Sequence, residues 1–127
     1  MGLGGTTRRR SSTEQVLAYC LGAADSLGAR TRAFTALELR LPMYTPQQRP
    51  RGPGVVALLS ALRAADGLVI VSPGYHGGIS GMIKNALDYV EDLGDDERPY
   101  LEGRAVGCVA CAAGWQATTT TLVALRS

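Results

Sequence analysis

The sequence predicts an α/β fold built on a parallel sheet, and three observations point there. Helix-like and strand-like segments alternate along the chain. The clearest strand, Gly67-Leu68-Val69-Ile70-Val71-Ser72, is continuously apolar and β-branched, as parallel strands covered on both faces are. Stretches rich in glycine and proline separate the segments. With 127 residues the chain reads as a single domain over 1–127.

Taken in order, Met1-Gly2-Leu3 is a very short apolar start. Ser11-Ser12-Thr13-Glu14 then fits a capping box, with Ser11 as N-cap and Glu14 at the third helical position. Behind it Val16, Cys20, Ala23 and Leu27, and one position on Leu17, Leu21 and Ala24, recur at helical spacing, and Gly28 is the stop. A short strand is expected around Arg30–Phe34. Residues 36–53 carry Pro42, Pro46, Pro50 and Pro53 and should be loop, because proline removes a ladder donor and restricts its predecessor. A helix over Val55–Ala65 buries Val55, Leu58, Leu59 and Leu62. After the Gly67–Ser72 strand, Ser80 is a candidate N-cap for a helix over Gly81–Val90 with Ile83, Leu87 and Val90 inward. Glu91–Glu97 reads as a solvated acidic loop, Arg104–Ala110 as a second buried strand, Gly114-Trp115-Gln116 as a turn, and Thr118–Arg126 as a final helix.

Composition narrows the functional classes. Apolar residues make up 46% and charged residues 19%, which is globular. Residues 1–63 hold nine arginines against three acids, whereas residues 64–127 hold four basic residues against eight acids. That asymmetry fits a bound anion near the start and a solvated acidic face later. It is too mild for nucleic acid, and one Trp and one Phe supply few stacking platforms. Cys20, Cys108 and Cys111 are an odd set in a chain that needs no staples, so reduced thiols and a cytoplasmic location are expected. Cys108 and Cys111 lack the further ligands a zinc site needs and read as small strand residues. Arg8-Arg9-Arg10 ahead of Val16–Leu21 only loosely resembles a twin-arginine leader, since Glu14 and Asp25 interrupt the apolar run. No apolar run approaches the ~18 residues of a membrane span.

In parallel sheets, ligands sit outside the carboxyl ends of the strands, in the loops that enter the helices. Three such loops are Gly4–Ser12, Ser72–Ser80 and Cys111–Thr118. The first combines glycines, hydroxyls and three arginines ahead of a helix N-terminus, a composition suited to a phosphate monoester. It ends in neither Gly-Lys-Ser/Thr nor Gly-x-Gly-x-x-Gly. A solvated N-terminus with a helix cap is the alternative. The second, Ser72-Pro73-Gly74-Tyr75-His76-Gly77-Gly78-Ile79-Ser80, holds more glycine than a plain turn needs and offers backbone groups to a flat polar ligand. His76 reads as a hydrogen-bonding loop residue rather than a catalytic base. Asn85 and Asp88 read as residues that pin loops.

These residues carry a resemblance. Pro73-Gly74-Tyr75-His76-Gly77 followed by Lys84-Asn85-Ala86-Leu87-Asp88-Tyr89 is similar to the flavin loop and helix of the NADPH-dependent FMN reductase family, with Gly74 at the usual Glu and His76 at the usual Asn. Gly5-Thr6-Thr7-Arg8-Arg9-Arg10-Ser11 resembles the family's phosphate loop, with Arg9-Arg10 at a more flexible pair. The resemblance implies a flavodoxin-like three-layer sandwich. It implies that Thr6, Arg8, Ser11, Ser12 and Thr13 bind the FMN phosphate. Pro73, Gly74, Tyr75, His76 and Gly77 would line the flavin ring, and Gly114, Trp115 and Gln116 would close its other side.

The activity so implied is an FMN-dependent oxidoreductase that passes hydride from NADPH or NADH to a flavin, quinone or similar acceptor by ping-pong chemistry, with no catalytic side chain. Homodimers or homotetramers are the implied assembly, without nucleic-acid, membrane or metal partners. A flavodoxin-like electron carrier and a flavin-free paralogue with a structural role are the alternatives. Against the family pattern only Met1-Gly2-Leu3 precede the first loop and the chain stops at Ser127. The first strand and the last strand and helix are therefore expected to be short or missing, and the domain incomplete.

Overall fold

The computed structural model describes residues 1–8 and 10–127. Its elements in order are β1 (Gly2–Gly4), α1 (Ser12–Ser26), β2 (Ala33–Thr35), a 3-10 turn (Ala36–Leu39), α2 (Pro53–Ala64), β3 (Gly67–Pro73), α3 (Gly81–Asp88), a second 3-10 turn (Tyr89–Leu93), β4 (Ala105–Cys111) and α4 (Trp115–Arg126). The four strands form one parallel sheet in the order β2-β1-β3-β4. This is the α/β architecture the sequence predicts.

The first strand is short, as expected, but it is not missing. β1 pairs on both sides, Leu3 opposite Phe34 of β2 and Ile70 of β3. The ladder continues past it at both ends: Met1 donates through its amino group to the Gly67 carbonyl, and the Gly5 amide donates to the Val71 carbonyl. Its Gly-Leu-Gly pattern explains how three residues hold the centre. Leu3 points into the larger core with Phe34, Leu58, Leu68, Ile70 and Ile83. On the opposite face a Cβ at Gly2 would stand 2.7 Å from Leu17 Cδ1, and one at Gly4 3.0 Å from Leu17 Cδ2. The glycines thus let α1 lie directly on the sheet, where Leu17 and Leu21 pack on Val71.

Caps form where the sequence places them. Ser11 Oγ accepts from the Glu14 amide at 3.2 Å, Ser80 Oγ accepts from the Ile83 amide at 3.3 Å, and Gly28 takes φ +90°. The Glu14 carboxylate, however, accepts from the Arg10 amide and not from its own N-cap. α2 starts earlier than expected, at Pro53, a residue well suited to the first helical position.

Other expectations are corrected. The expected strand at Arg30–Phe34 is Ala33–Thr35. Within the long loop, Ala36–Leu39 forms a 3-10 turn that buries Leu39. In α1 the buried positions are Thr13, Leu17 and Leu21, while Leu27 of the expected stripe is 90% exposed. α3 ends at Asp88, and the acidic segment is not simply solvated: Leu93 is fully buried and Asp92 is paired. The last strand is Ala105–Cys111, and its first three residues are exposed, because β4 is the sheet edge. Arg104 precedes that strand as a buried tie, donating to the carbonyls of Ala65, Arg63 and Tyr100. α4 begins at Trp115, so the expected turn is its first residues.

Candidate functional site

The carboxyl ends of β1, β3 and β4 point the same way, and each runs into a loop ahead of a helix. After β1 the chain turns tightly against α3. A Cβ at Gly5 would fall 2.3 Å from Ile83 Cγ1 and 2.6 Å from Ser80 Oγ, so only glycine fits there. Thr6 Oγ1 accepts from the Arg8 amide at 3.1 Å, which leaves its own O–H free to donate. Ser11 and Thr13 share a hydroxyl–hydroxyl bond of 2.9 Å. With Ser11 capping the Glu14 amide, the Ser12 and Thr13 amides remain at the open end of α1, where the helix dipole favours negative charge. Arg8 is exposed beside them. Arg9, part of the predicted anion loop, lies outside the described residues.

The loop after β3 stays in the sheet for one more residue, since the Gly74 amide donates to the Cys111 carbonyl at 2.8 Å. It then closes a two-residue turn in which Tyr75 and Gly78 exchange both backbone hydrogen bonds at 3.0 Å. The two central residues, His76 and Gly77, take φ +52° and +82°. Positive φ at both positions is the type I′ signature. His76 therefore answers a backbone requirement, histidine being among the side chains that enter the left-handed region most readily. Its imidazole is exposed and makes no hydrogen bond among the described residues. Inside the loop, Ser72 Oγ accepts from the Ser80 amide at 3.0 Å. Asn85 does pin a loop: it accepts from the Tyr44 amide at 2.8 Å and donates to the Pro42 carbonyl at 2.9 Å. Asp88 pairs with Lys84 on the same helix.

These segments line an open cavity of about 600 Å³. Thr6, Arg8, Ser11, Ser12 and Thr13 line one end, Pro73, Gly74 and Tyr75 a second wall, and Ala110 to Ala113 with Thr118 the third. Eight of the residues singled out by sequence are thus brought together. His76, Gly77, Gly114, Trp115 and Gln116 lie outside this lining. Gly114 is the N-cap of α4 and Trp115, at 82% exposure, points to solvent. The Ala112-Ala113 pair directly after a predicted strand was the readable signal for the third wall. Thr118 enters as the last residue of the third candidate loop.

Among the described residues the lining contains one cation and neither carboxylate nor histidine. Cys111 lies on the wall with its thiol pushed up by burial, which keeps it neutral and a poor nucleophile at neutral pH. The arrangement is suited to binding: an anion at the α1 end, hydroxyls beside it, and a backbone-lined slot between the second and third loops.

Comparisons with known proteins bear on the family and the fold. The family model described as NADPH-dependent FMN reductase matches residues 1–127. An NADPH azoreductase from Bacillus sp. (strain OY1-2) is 35% identical over 89 residues, 69% of this chain and 47% of its own. A 2-hydroxy-1,4-benzoquinone reductase from Burkholderia sp. is 35% identical over 111 residues, 82% of this chain and 59% of its own. The chain therefore spans about half the length of these curated relatives. Among solved structures, the flavoenzyme NAD(P)H:(acceptor) oxidoreductase FerB from Paracoccus denitrificans superposes with a TM-score of 0.74 at 19% identity, covering 98% of this chain and 66% of that one, a likeness of fold.

Proposed function

The chain belongs to the NADPH-dependent FMN reductase family, and from that premise we propose that it binds FMN and reduces a small acceptor at the expense of NADPH or NADH. The observation that carries this reading is that the N-terminal end of α1, with its hydroxyls and Arg8, shares one cavity with the loops that follow β3 and β4. FMN has the matching parts: a dianionic phosphate, a hydroxylated chain and a planar tricycle. The phosphate would lie at the α1 N-terminus against Thr6, Arg8, Ser11, Ser12 and Thr13. The ring would lie along Pro73, Gly74 and Tyr75, with the His76–Gly77 turn presenting that wall and Gly114, Trp115 and Gln116 near its far edge.

FMN held by these residues would supply hydride and electron transfer between a nicotinamide and a second substrate, the proposed order being ping-pong. The residues around it bind, orient and exclude water. Because no carboxylate or histidine among the described residues lines the cavity, no side-chain proton transfer is assigned. The relatives' names support a quinone or an azo compound as acceptor, beside a free flavin. A homodimer or homotetramer is the proposed assembly. Three free cysteines fit a reducing compartment such as the cytoplasm, and no helix of the described residues is long and apolar enough to cross a membrane.

The test is a titration of the purified protein with FMN, followed by visible absorption and flavin fluorescence, and then by NAD(P)H oxidation with a quinone. Saturable uptake with quinone-dependent turnover is expected. Uptake with a stable one-electron state but no nicotinamide reactivity would favour an electron carrier. Absence of uptake at high micromolar FMN overturns the reading.

A further inference from the structure

We propose that Thr121 of α4 is a positioning residue for the cavity: it braces the Gly74–Gly78 turn, whose Gly74 and Tyr75 line the cavity, through a contact that also requires residue 74 to be glycine. The inference rests on the reading of this wall as the flavin-ring wall.

Thr121 is fully buried on a helix whose neighbouring positions 119 and 120 are exposed. Helical hydroxyls ordinarily bond the carbonyl one turn back, as Thr118, Thr119 and Thr120 do with the carbonyls of Gly114, Trp115 and Gln116. Thr121 departs from that pattern and donates outward, to the Gly78 carbonyl 43 positions away in sequence, at 3.4 Å. That carbonyl already closes the turn by accepting from the Tyr75 amide. The hydroxyl thus ties the turn to α4.

Gly74 makes the complementary half of the contact. A Cβ there would stand 2.7 Å from Thr121 Oγ1, 3.0 Å from Ala112 Cβ and 3.4 Å from the Ala117 carbonyl oxygen. The first of these is closer than real Cβ contacts come, and the neighbours on the other sides are a short side chain and backbone, with little room to yield. Gly74 is a cavity residue and Thr121 is not, so Thr121 acts through Gly74 and Gly78. Thr120 flanks the same seat, its Oγ1 lying 3.6 Å from where a Cβ on Gly77 would be. One helix thereby sets the position of the wall, and the same helix carries Thr118 onto the cavity.

The test compares Thr121→Val, which keeps shape and removes the hydroxyl, with Thr121→Ser, which keeps the hydroxyl, and with Gly74→Ala, which presses on the contact from the other side. Three readouts are taken on the full chain: the FMN dissociation constant, the visible spectrum of bound FMN, and amide exchange at Tyr75 and Gly78 without FMN. Thr121→Val and Gly74→Ala are expected to weaken FMN binding tenfold or more, shift the bound spectrum and speed exchange at both amides. Thr121→Ser should stay within threefold of the parent in each. The proposal is overturned if Thr121→Val melts earlier yet keeps the parent dissociation constant, spectrum and exchange, or if Thr121→Ser falls as far as Thr121→Val. Should Thr121→Val not fold, the Ser and Gly74→Ala variants decide on the same criteria. Should the parent itself take up no FMN, the flavin reading fails separately, and the exchange rates alone decide whether Thr121 holds the wall.

Discussion

Gly5 and His76 each answer a local demand of the loops around the site, and each makes a prediction. Gly5 lets the first loop rest on α3, with Ile83 Cγ1 2.3 Å and Ser80 Oγ 2.6 Å from an added Cβ. Gly5→Ala should destabilise the fold by about 1–3 kcal/mol, the usual cost of overpacking, with the Ser80 cap disturbed as well. Urea unfolding monitored by circular dichroism checks it, and an unchanged midpoint would contradict the contact. His76 is the converse case, a side chain held for its backbone at φ +52°. His76→Asn should be neutral within about 0.5 kcal/mol, because asparagine enters the left-handed region easily, whereas His76→Val should cost about 1–3 kcal/mol. Equal melting temperatures for the two variants would refute a backbone role. The caps at Ser11 and Ser80 were legible in sequence because capping needs only near neighbours. The obligation at Gly5 was not, since Ile83 lies 78 positions away.

Local signals served less well for whole elements wherever a distant partner decided the outcome. The run Glu91–Glu97 has the composition of a solvated loop, yet Asp92 accepts from Arg51 Nε at 2.7 Å and from Arg49 Nη1 at 2.7 Å. Arg51 also lies 5.0 Å from the ring centres of both Tyr44 and Tyr89. This clamp holds the proline-rich loop onto the turn after α3, beside the Asn85 bonds to Tyr44 and Pro42. The hydrogen bond from Arg51 leads in holding the Asp92 carboxyl down from 3.8 to about 2. A depressed carboxylate stabilises the fold above its unfolded value and loses that contribution as pH falls through the folded one. Asp92 should therefore contribute about 2 kcal/mol at neutral pH, lost between roughly pH 4 and pH 2. Asp92→Asn should lower stability near pH 7 by at least that amount, since it leaves Arg51 buried and unpaired. The gap to the parent should close toward pH 2. Unfolding at a series of pH values reads this directly, and a pH-independent gap would exclude the mechanism. β4 was misread for the same kind of reason: an apolar run cannot reveal that its first half is left uncovered at an edge.

At the scale of the whole molecule, the parallel sheet follows from the alternating pattern, whereas the strand order β2-β1-β3-β4 comes from the pairing itself. The strand-to-helix loops had to gather at the carboxyl edge of a parallel sheet. Sequence could not establish that three residues suffice for the central strand, because that depends on the two-sided pairing of β1 and on glycines that admit α1. The cavity joins segments from both ends of the chain, from Thr6 to Thr118. Occupancy by FMN should therefore stabilise the fold globally. At 100 times the dissociation constant the linkage is about 2.7 kcal/mol, a rise of several degrees in melting temperature for a chain of this size. The anionic end should dominate that gain. Arg8 is exposed on the cavity rim, so its attraction for a phosphate is screened by salt. Parent affinity for FMN should fall as ionic strength rises from 20 to 300 mM. Arg8→Ala should bind about tenfold more weakly at low salt, with a shallower salt dependence and little change in the melting temperature of the FMN-free protein. Riboflavin, which lacks the phosphate, should bind both proteins alike. If the Arg8 variant loses riboflavin as readily as FMN, the arginine supports the slot and not the anion, and the α1 end loses its assignment as the phosphate site.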